Sequence, residues 1–251
     1  MSHNRFSYEW QKYPDIIPEY ETQFLRWIIP IKPVFFKKKI ILDVGCGTGR
    51  NSVWPLRYGA KKIVAFDEDV KIVQIARKNL QEFPNIAINH KSVYELSYKN
   101  RFDIVLCIGV LHHLADPQTA LNKMHASLKK NGTIILWVYG YEGNEGILII
   151  INIVRKITCR LPLVIVHLLS FVISLPLFVY LKLFPTMHPY FLLLSHFKFW
   201  HIRSIIFDQL IPQIANYWRK AEIELLVKKS GFTSISFHHT NRNSWTVIAL
   251  K

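Results

Sequence analysis

Acidic residues are scarce in this chain. Its 251 residues hold 17 aspartates and glutamates against 32 lysines and arginines, a formal charge of +15. Between Gly146 and Phe207 there is no acid at all, while Arg155, Lys156, Arg160, Lys182, Lys198 and Arg203 all fall there. This imbalance argues against a cationic partner and for an anionic one: nucleic acid, a phosphorylated substrate or an acidic membrane surface. Cysteine is also sparse. Cys46, Cys107 and Cys159 show no ligand spacing, so no metal site or disulfide framework is expected and a reducing cytoplasm is the default. The opening residues MSHNRFSYEWQKYPD lack the apolar stretch of a signal peptide. There is no internal repeat and no low-complexity linker.

What the chain does have is alternation. Ile40–Val44, Ile63–Phe66, Ile86–His90, Phe102–Val110 and the run TIILWVYG read as five strands. Between them, DVKIVQIARKNL carries apolar residues at helical spacing. Asp116-Pro117 reads as a helix start, with an end expected after Lys130 at Asn131-Gly132. Such βαβα order implies a doubly wound parallel sheet, whose ligands sit beyond the carboxyl ends of the strands.

One loop draws attention. Gly45-Cys46-Gly47-Thr48-Gly49 follows a strand and opens a helix, so the backbone can approach a ligand beside unpaired N–H groups. Asp43 precedes the loop, and Asp67 ends the second strand about twenty residues on, where a carboxylate can bind both hydroxyls of a ribose. The loop reads G-x-G-x-G rather than G-x-G-x-x-G. An acid two positions ahead of it suits a ligand with an ammonium group better than a pyrophosphate.

At these residues the sequence resembles the class I S-adenosylmethionine (SAM)-dependent methyltransferases. ILDVGCGTGR is similar to their first motif, VAFDED to the second, FDIVLCIGVLHHL to the fourth-strand region and NGTIILWVYG to the fifth. The resemblance implies a Rossmann-like α/β fold and SAM as cofactor. It places Asp43, Gly45, Cys46, Gly47 and Gly49 at the amino-acid end of SAM and Asp67 and Glu68 at the ribose. Ser92 and Val93 would lie beside the adenine, with Ser92 where many relatives carry an acid. Ile108 and Gly109 would pass beneath the methionyl part.

Methyl transfer from a sulfonium is an in-line displacement, and only a hydroxyl acceptor needs a base during attack. His113 and His112 follow the fourth strand and are the candidate bases. The same loop lacks the Asn/Asp-Pro-Pro-aromatic motif of exocyclic-amine methylation, and Cys107 lies within a strand rather than beside a proline. Nucleic acid therefore ranks lower, despite the charge. The expected acceptor is a small molecule, a sugar or a lipid-linked hydroxyl. The alternatives are an RNA or protein methyltransferase and a non-catalytic SAM-binding subunit. In the aromatic N-terminal segment, Tyr8, Glu9, Trp10 and Tyr20 are candidate cover or substrate contacts. Past the insertion, Asp208, Gln209, Tyr217, Asn241, Asn243 and Trp245 are candidate substrate contacts.

LPLVIVHLLSFVISLPLFVYL, Leu161 to Leu181, is long enough to span a bilayer by length alone. The closing strands FTSISFHH and SWTVIALK must join the same sheet as the first five, which excludes a single crossing. Pro176 is expected to cut the run to a short helix, Leu163–Leu175. His167, Ser170 and Ser174 make one polar stripe along it. Two readings stand: a helical cap over the acceptor pocket that also offers a homo-oligomer contact, or a segment in the membrane interface. The expected organisation is 1–38 as an N-terminal lid, 39–140 as the SAM-binding core, 141–216 as a largely helical insertion and 217–251 as closing helix and strands. The expected location is the cytoplasm, to which the interface reading would add peripheral placement on the inner membrane face.

Overall fold

The apolar runs at 41–44, 63–66, 104–108 and 133–136 become strands buried on both faces of the sheet, whereas the edge run Ile86–His90 buries Ile88 alone. The computed structural model describes residues 3–187 and 189–251, apart from the side chains of His3, Asn4, Ser7, Glu9, Pro189 and Leu193. Glu9, named above as a cover residue, is thus outside the described side chains. Helices α1 (His3–Lys12) and α2 (Glu19–Trp27) precede β1 (Ile40–Val44). There follow α3 (Val53–Arg57), β2 (Lys62–Asp67), α4 (Val70–Asn79), β3 (Ile86–His90), β4 (Phe102–Ile108), α5 (Pro117–Ser127) and β5 (Leu128–Tyr139). Four helices then intervene: α6 (Glu145–Thr158), α7 (Leu163–Leu183), α8 (Pro189–Ser195) and α9 (Phe199–Leu210). Helix α10 (Lys220–Lys229), β6 (Thr233–Thr240) and β7 (Ser244–Leu250) close the chain.

The sheet runs β3-β2-β1-β4-β5-β7-β6, with β1 to β5 parallel and β7 antiparallel to both neighbours. This is the doubly wound, Rossmann-like arrangement, with a helical insertion after the fifth strand. One core layer packs Leu42, Val44, Phe66 and Val105 against Leu121 of α5 and Ile223 of α10. The other packs Ile41, Ile63 and Ile104 against Phe24 of α2, Trp54 of α3 and Ala76 of α4. Asp69 caps α4, its Oδ1 accepting from the N–H groups of Lys71 and Ile72. Asp116 caps α5 through the N–H of Thr119, with Pro117 in the first turn.

Two local expectations are corrected. Helix α5 stops at Ser127, and Asn131-Gly132 lie inside β5, where the register against β4 shifts between Phe102 and Ile104. The cause is long-range: Asn131 N–H donates to the carbonyl of Lys251, and Lys251 Nζ donates to the carbonyls of Ala126 and Leu128. Pro176, in turn, is accommodated within a continuous α7 of 21 residues, about 31 Å at 1.5 Å per residue. Proline removes one ladder hydrogen bond there without ending the helix.

Helix α7 is inside out. Its polar stripe faces inward: Ser170 and Ser174 are fully buried, and Arg203 of α9 donates to Ser170 Oγ at 3.0 Å and to His167 Nδ1 at 3.0 Å. Its apolar side chains Val164, Leu168, Val172 and Leu183 are exposed, each by 61% or more. Among the described residues it is one helix long and apolar enough to cross a membrane, and only 17% of its most apolar window is buried. The insertion is tied to the N-terminus by Arg5, whose Nη2 donates to the carbonyls of Thr158 and Leu161.

Candidate functional site

The carboxyl ends of β1, β2, β4 and β5 open into a chamber of about 630 Å³, roofed by α1, α2, α6 and α9. The volume lies within the range of cofactor and substrate pockets. Its floor is the glycine loop. Gly45 has φ +69°, and a Cβ there would lie 2.5 Å from Val110 Cγ2, so neither the conformation nor the space admits a side chain. Gly47 has φ +55° and open space above it. The loop is pinned by Gly45 and Cys46, whose N–H groups donate to the Phe66 carbonyl at 2.9 and 3.0 Å.

Asp67 spans the gap between loop and second strand. Its Oδ2 accepts from Gly47 N–H at 3.0 Å and its Oδ1 from Asp69 N–H at 3.1 Å. Burial raises its pKa despite these bonds. Each oxygen retains acceptor capacity, which suits the paired hydroxyls of a ribose. Gly45, Cys46, Gly47, Asp67, Glu68, Val93, Ile108 and Gly109 all line the chamber. A glycine floor, a two-oxygen acceptor at the second strand and an apolar slot at Val93 and Ile108 therefore fit a nucleoside sulfonium such as SAM.

Three expected cofactor contacts lie elsewhere. Asp43 is 1% exposed and sits beneath the loop, accepting from Ser52 Oγ at 2.5 Å; burial pushes its pKa up to about 6. It supports the loop rather than facing the chamber, because strand alternation sends Val44 toward the site instead. Gly49 faces away as well: a Cβ on it would meet Leu80 Cδ1 at 2.6 Å, so this glycine serves helix packing. Ser92 N–H is spent on Glu95 Oε2 at 3.0 Å in a single helical turn, outside the chamber lining.

The two histidines separate sharply. His113 lines the chamber; its Nδ1 bonds the Ile214 carbonyl at 2.8 Å, which fixes the proton on Nδ1 and leaves Nε2 as an acceptor. Burial lowers its pKa to about 4, so it is neutral at pH 7. His112 is fully buried outside the lining, stacked on Tyr139 at 3.7 Å, and its Nδ1 lies 3.4 Å from Tyr139 N. It packs the end of β5 and is out of reach of an acceptor.

On the acceptor side, Trp10, Tyr20, Asp208, Gln209, Tyr217 and Asn243 wall the chamber. Trp245 does not: it stacks on His239 at 4.4 Å, and its Nε1 donates to Glu142 Oε2. Sequence reasoning passed over Tyr139, the last residue of β5. It stacks on Tyr217 at 5.1 Å and its hydroxyl accepts from Gln209 Nε2 at 3.0 Å. Its position at a strand's carboxyl end was the available signal. Arg50, the first residue after the glycines, lays its guanidinium 4.0 Å over the Trp10 ring and 5.4 Å over Tyr20. His201 of α9 closes that wall 4.9 Å from Tyr20, and nothing in the sequence pattern singled it out. Among the described residues no three His, Cys, Asp or Glu are grouped to hold a metal.

Comparison with known proteins bears on this geometry. Residues 42–136 match the family model described as a methyltransferase domain. The tRNA U34 carboxymethyltransferase of Nautilia profundicola is 36% identical over 152 residues, covering 55% of this chain and 48% of that protein. That of Campylobacter jejuni is 30% identical, covering 57% and 52%. The chain thus spans about half the length of the curated relatives it matches. Among solved structures, a 1,6-didemethyltoxoflavin-N1-methyltransferase of Burkholderia thailandensis superposes with a TM-score of 0.59 at 16% identity, covering 99% of this chain and 86% of that one. Human N-acetylserotonin methyltransferase in complex with SAM gives 0.59 at 14% identity, covering 100% and 56%. These structures share the fold.

The relatives correct one expectation. The small-molecule, sugar or lipid-linked hydroxyl acceptor does not hold, because the curated relatives at 30–36% identity are named for a transfer to tRNA. The loop motifs that lowered nucleic acid in rank speak only to exocyclic amines and to pyrimidine C5, and they leave the oxygen and nitrogen atoms of a uridine untouched. From the glycine floor, the Asp67 bridge and the matched model, residues 42–136 are a methyltransferase domain of the class I SAM-dependent kind, with SAM as its cofactor.

Proposed function

We propose that this protein transfers a methyl or carboxymethyl group from a sulfonium donor to a uridine of an RNA. The observation that carries the reading is its identity to enzymes named as tRNA U34 carboxymethyltransferases. The charge of +15 agrees with a polyanionic acceptor. So does the chamber wall, which Trp10, Tyr20, Trp137 and Tyr217 line with aromatic rings that can pack against a base taken out of its stack.

In the reaction the S–C bond of the donor breaks and its electron pair stays on sulfur, while the acceptor atom forms the new bond to carbon. Where that atom carries a proton, His113 Nε2 takes it, since the ring is neutral and its Nδ1–H is anchored on Ile214. Asp67 and the glycine loop would hold the donor. The test is incubation of the purified protein with unmodified tRNA and labelled donor, SAM and its carboxylated form in parallel, followed by nucleoside mass spectrometry. A mass gain on uridine that drops more than tenfold in Asp67→Ala is expected. No gain on any nucleoside with either donor would overturn the reading.

For location, we propose the cytoplasm, with the exposed apolar side of α7 resting on the inner membrane face. A helix that buries serines and exposes valine and leucine is built for an apolar medium. Flotation with vesicles tests this; equal recovery of wild type and of a Val164→Ser, Leu168→Ser, Val172→Ser variant would reject it.

A further inference from the structure

The charge of this protein is not spread evenly over the sheet. Each loop that feeds one of the four central parallel strands delivers cations. Lys37, Lys38 and Lys39 precede β1, Lys61 and Lys62 stand at the start of β2, Lys99 and Arg101 precede β4, and Lys129 and Lys130 open β5. Backbone bonds knit the first two loops together: Lys38 N–H donates to the Gly59 carbonyl and Lys61 N–H to the Lys39 carbonyl, each at 2.8 Å. Lys37, Lys38, Lys61, Lys62, Lys99, Arg101 and Lys130 are exposed.

Few carboxylates answer them. Among the described residues at this edge, Asp103 is already held by Lys129 Nζ at 2.7 Å and by Ile40 N–H at 2.7 Å. Glu21 accepts from Tyr58 at 2.7 Å, and Glu82 stands alone in the turn before β3. The strand order β2-β1-β4-β5 sets the four loops side by side, a ridge roughly 15 Å wide at the usual strand spacing. The opposite edge, about 17 Å away along β1, carries Asp67, Glu68 and Asp69 beside the donor site. Cations thus dominate where the strands begin, and the donor edge is mixed, with Arg50 and Lys91 lining the chamber beside those acids.

We propose that this amino-terminal strand edge is a second contact site, which takes the phosphate backbone of the RNA while the target uridine enters the chamber at the far edge. The inference rests on the RNA reading above. Lysines presented from loops suit a hydrated phosphate chain, which binds by releasing counterions, and Val34, 73% exposed ahead of Lys37, is a small apolar side chain beside them. A lipid surface is the competing polyanion, and it suits the ridge less well because Val34 is a small anchor beside the long exposed apolar face of α7.

The experiment combines Lys37→Gln, Lys61→Gln, Lys62→Gln and Lys130→Gln in the full chain; all four side chains are exposed and hold no part of the donor site. Binding of unmodified tRNA is measured against salt, together with SAM affinity, the melting midpoint and turnover on a short uridine oligonucleotide that cannot reach both edges. We expect the slope of log affinity against log salt to shrink by roughly 0.7 to 0.9 per charge removed, and tRNA binding at low salt to weaken by about tenfold or more. SAM affinity, melting midpoint and short-oligonucleotide turnover should not change. Unchanged tRNA affinity would overturn the ridge, as would loss of binding to phosphatidylserine vesicles with tRNA binding retained. Ridge-dependent tRNA binding without transfer to uridine would sink the acceptor reading while supporting the ridge; transfer with ridge-independent binding would do the reverse.

Discussion

The sheet domain and the helical insertion solve the same burial problem in opposite ways. In the sheet, Ile41, Leu42, Ile63, Ile104 and Leu106 are fully buried, and charge lies at the strand ends. In the insertion, Arg203, Ser170 and Ser174 are fully buried, and Val164, Leu168 and Val172 face outward. Arg203 is accommodated because Ser170 and His167 accept its N–H groups while the rings of Tyr13, Phe171 and Phe207 lie within 5.9 Å of it. One half folds around continuous apolar layers; the other sets a polar seam beside two small apolar clusters, Val166 with Phe207 and Leu210 and Leu181 with Phe197 and Ile202, and leaves further apolar surface outward. The contrast teaches that hydrophobicity of a helix does not by itself say which side is inside.

The largest expected effect tests the chemistry that lies between the two halves. His113→Asn removes the proton acceptor at Nε2 and should lower kcat by roughly 10²- to 10⁴-fold with donor affinity retained, measured by steady-state kinetics and titration calorimetry. An unchanged rate would remove His113 from the reaction. Next comes the comparison itself. Ile104→Ala should lower unfolding free energy by about 2–5 kcal/mol, whereas Val172→Ala on α7 should stay within about 0.5 kcal/mol in denaturant titrations. Equal costs would mean that α7 is covered in solution.

Acid should act on the chamber wall between the halves. The folded pKa of His113, about 4, lies below its unfolded value near 6.5, so the unfolded chain binds more protons in that window. Stability therefore falls as pH drops from 6.5 to 4, by on the order of 3 kcal/mol from this residue, and His201, also lowered to about 4, adds to the slope. Asp43, raised to about 6, acts in the opposite direction below pH 6. The clean measurement is thus the difference between wild type and His113→Asn across that range; identical slopes would refute the burial of this imidazole. The smallest effect concerns the donor. Asp67→Ala removes a charged acceptor and should weaken SAM binding by about 2 kcal/mol, roughly thirtyfold by calorimetry, without altering α7 to α9.

Much of the sheet was legible in the residues. Gly45 and Gly47 marked the floor, Asp67 the acceptor at the end of the second strand, and Asp69 and Asp116 the helix starts, because turns and caps act over a few residues. Neighbouring positions defeated the same reading. His112 and His113 differ by one residue, and only the pairing of β5 beneath them sends one into packing and the other into the chamber. Asn131-Gly132 carries a helix-end signature, overridden by Lys251 from the far end of the chain.

The sequence alone determined the strand order of chemistry along this protein: a glycine floor, an acid at the second strand, histidines after the fourth, and a surplus of cations. Those features follow from local backbone freedom and from composition. Only the tertiary structure decided that Asp43 supports rather than binds, that Trp245 packs on His239, that four loops pool their lysines on one edge, and that α7 turns its serines inward. Each of these depends on which distant segment arrives as a neighbour, and long-range packing is what a linear pattern does not encode.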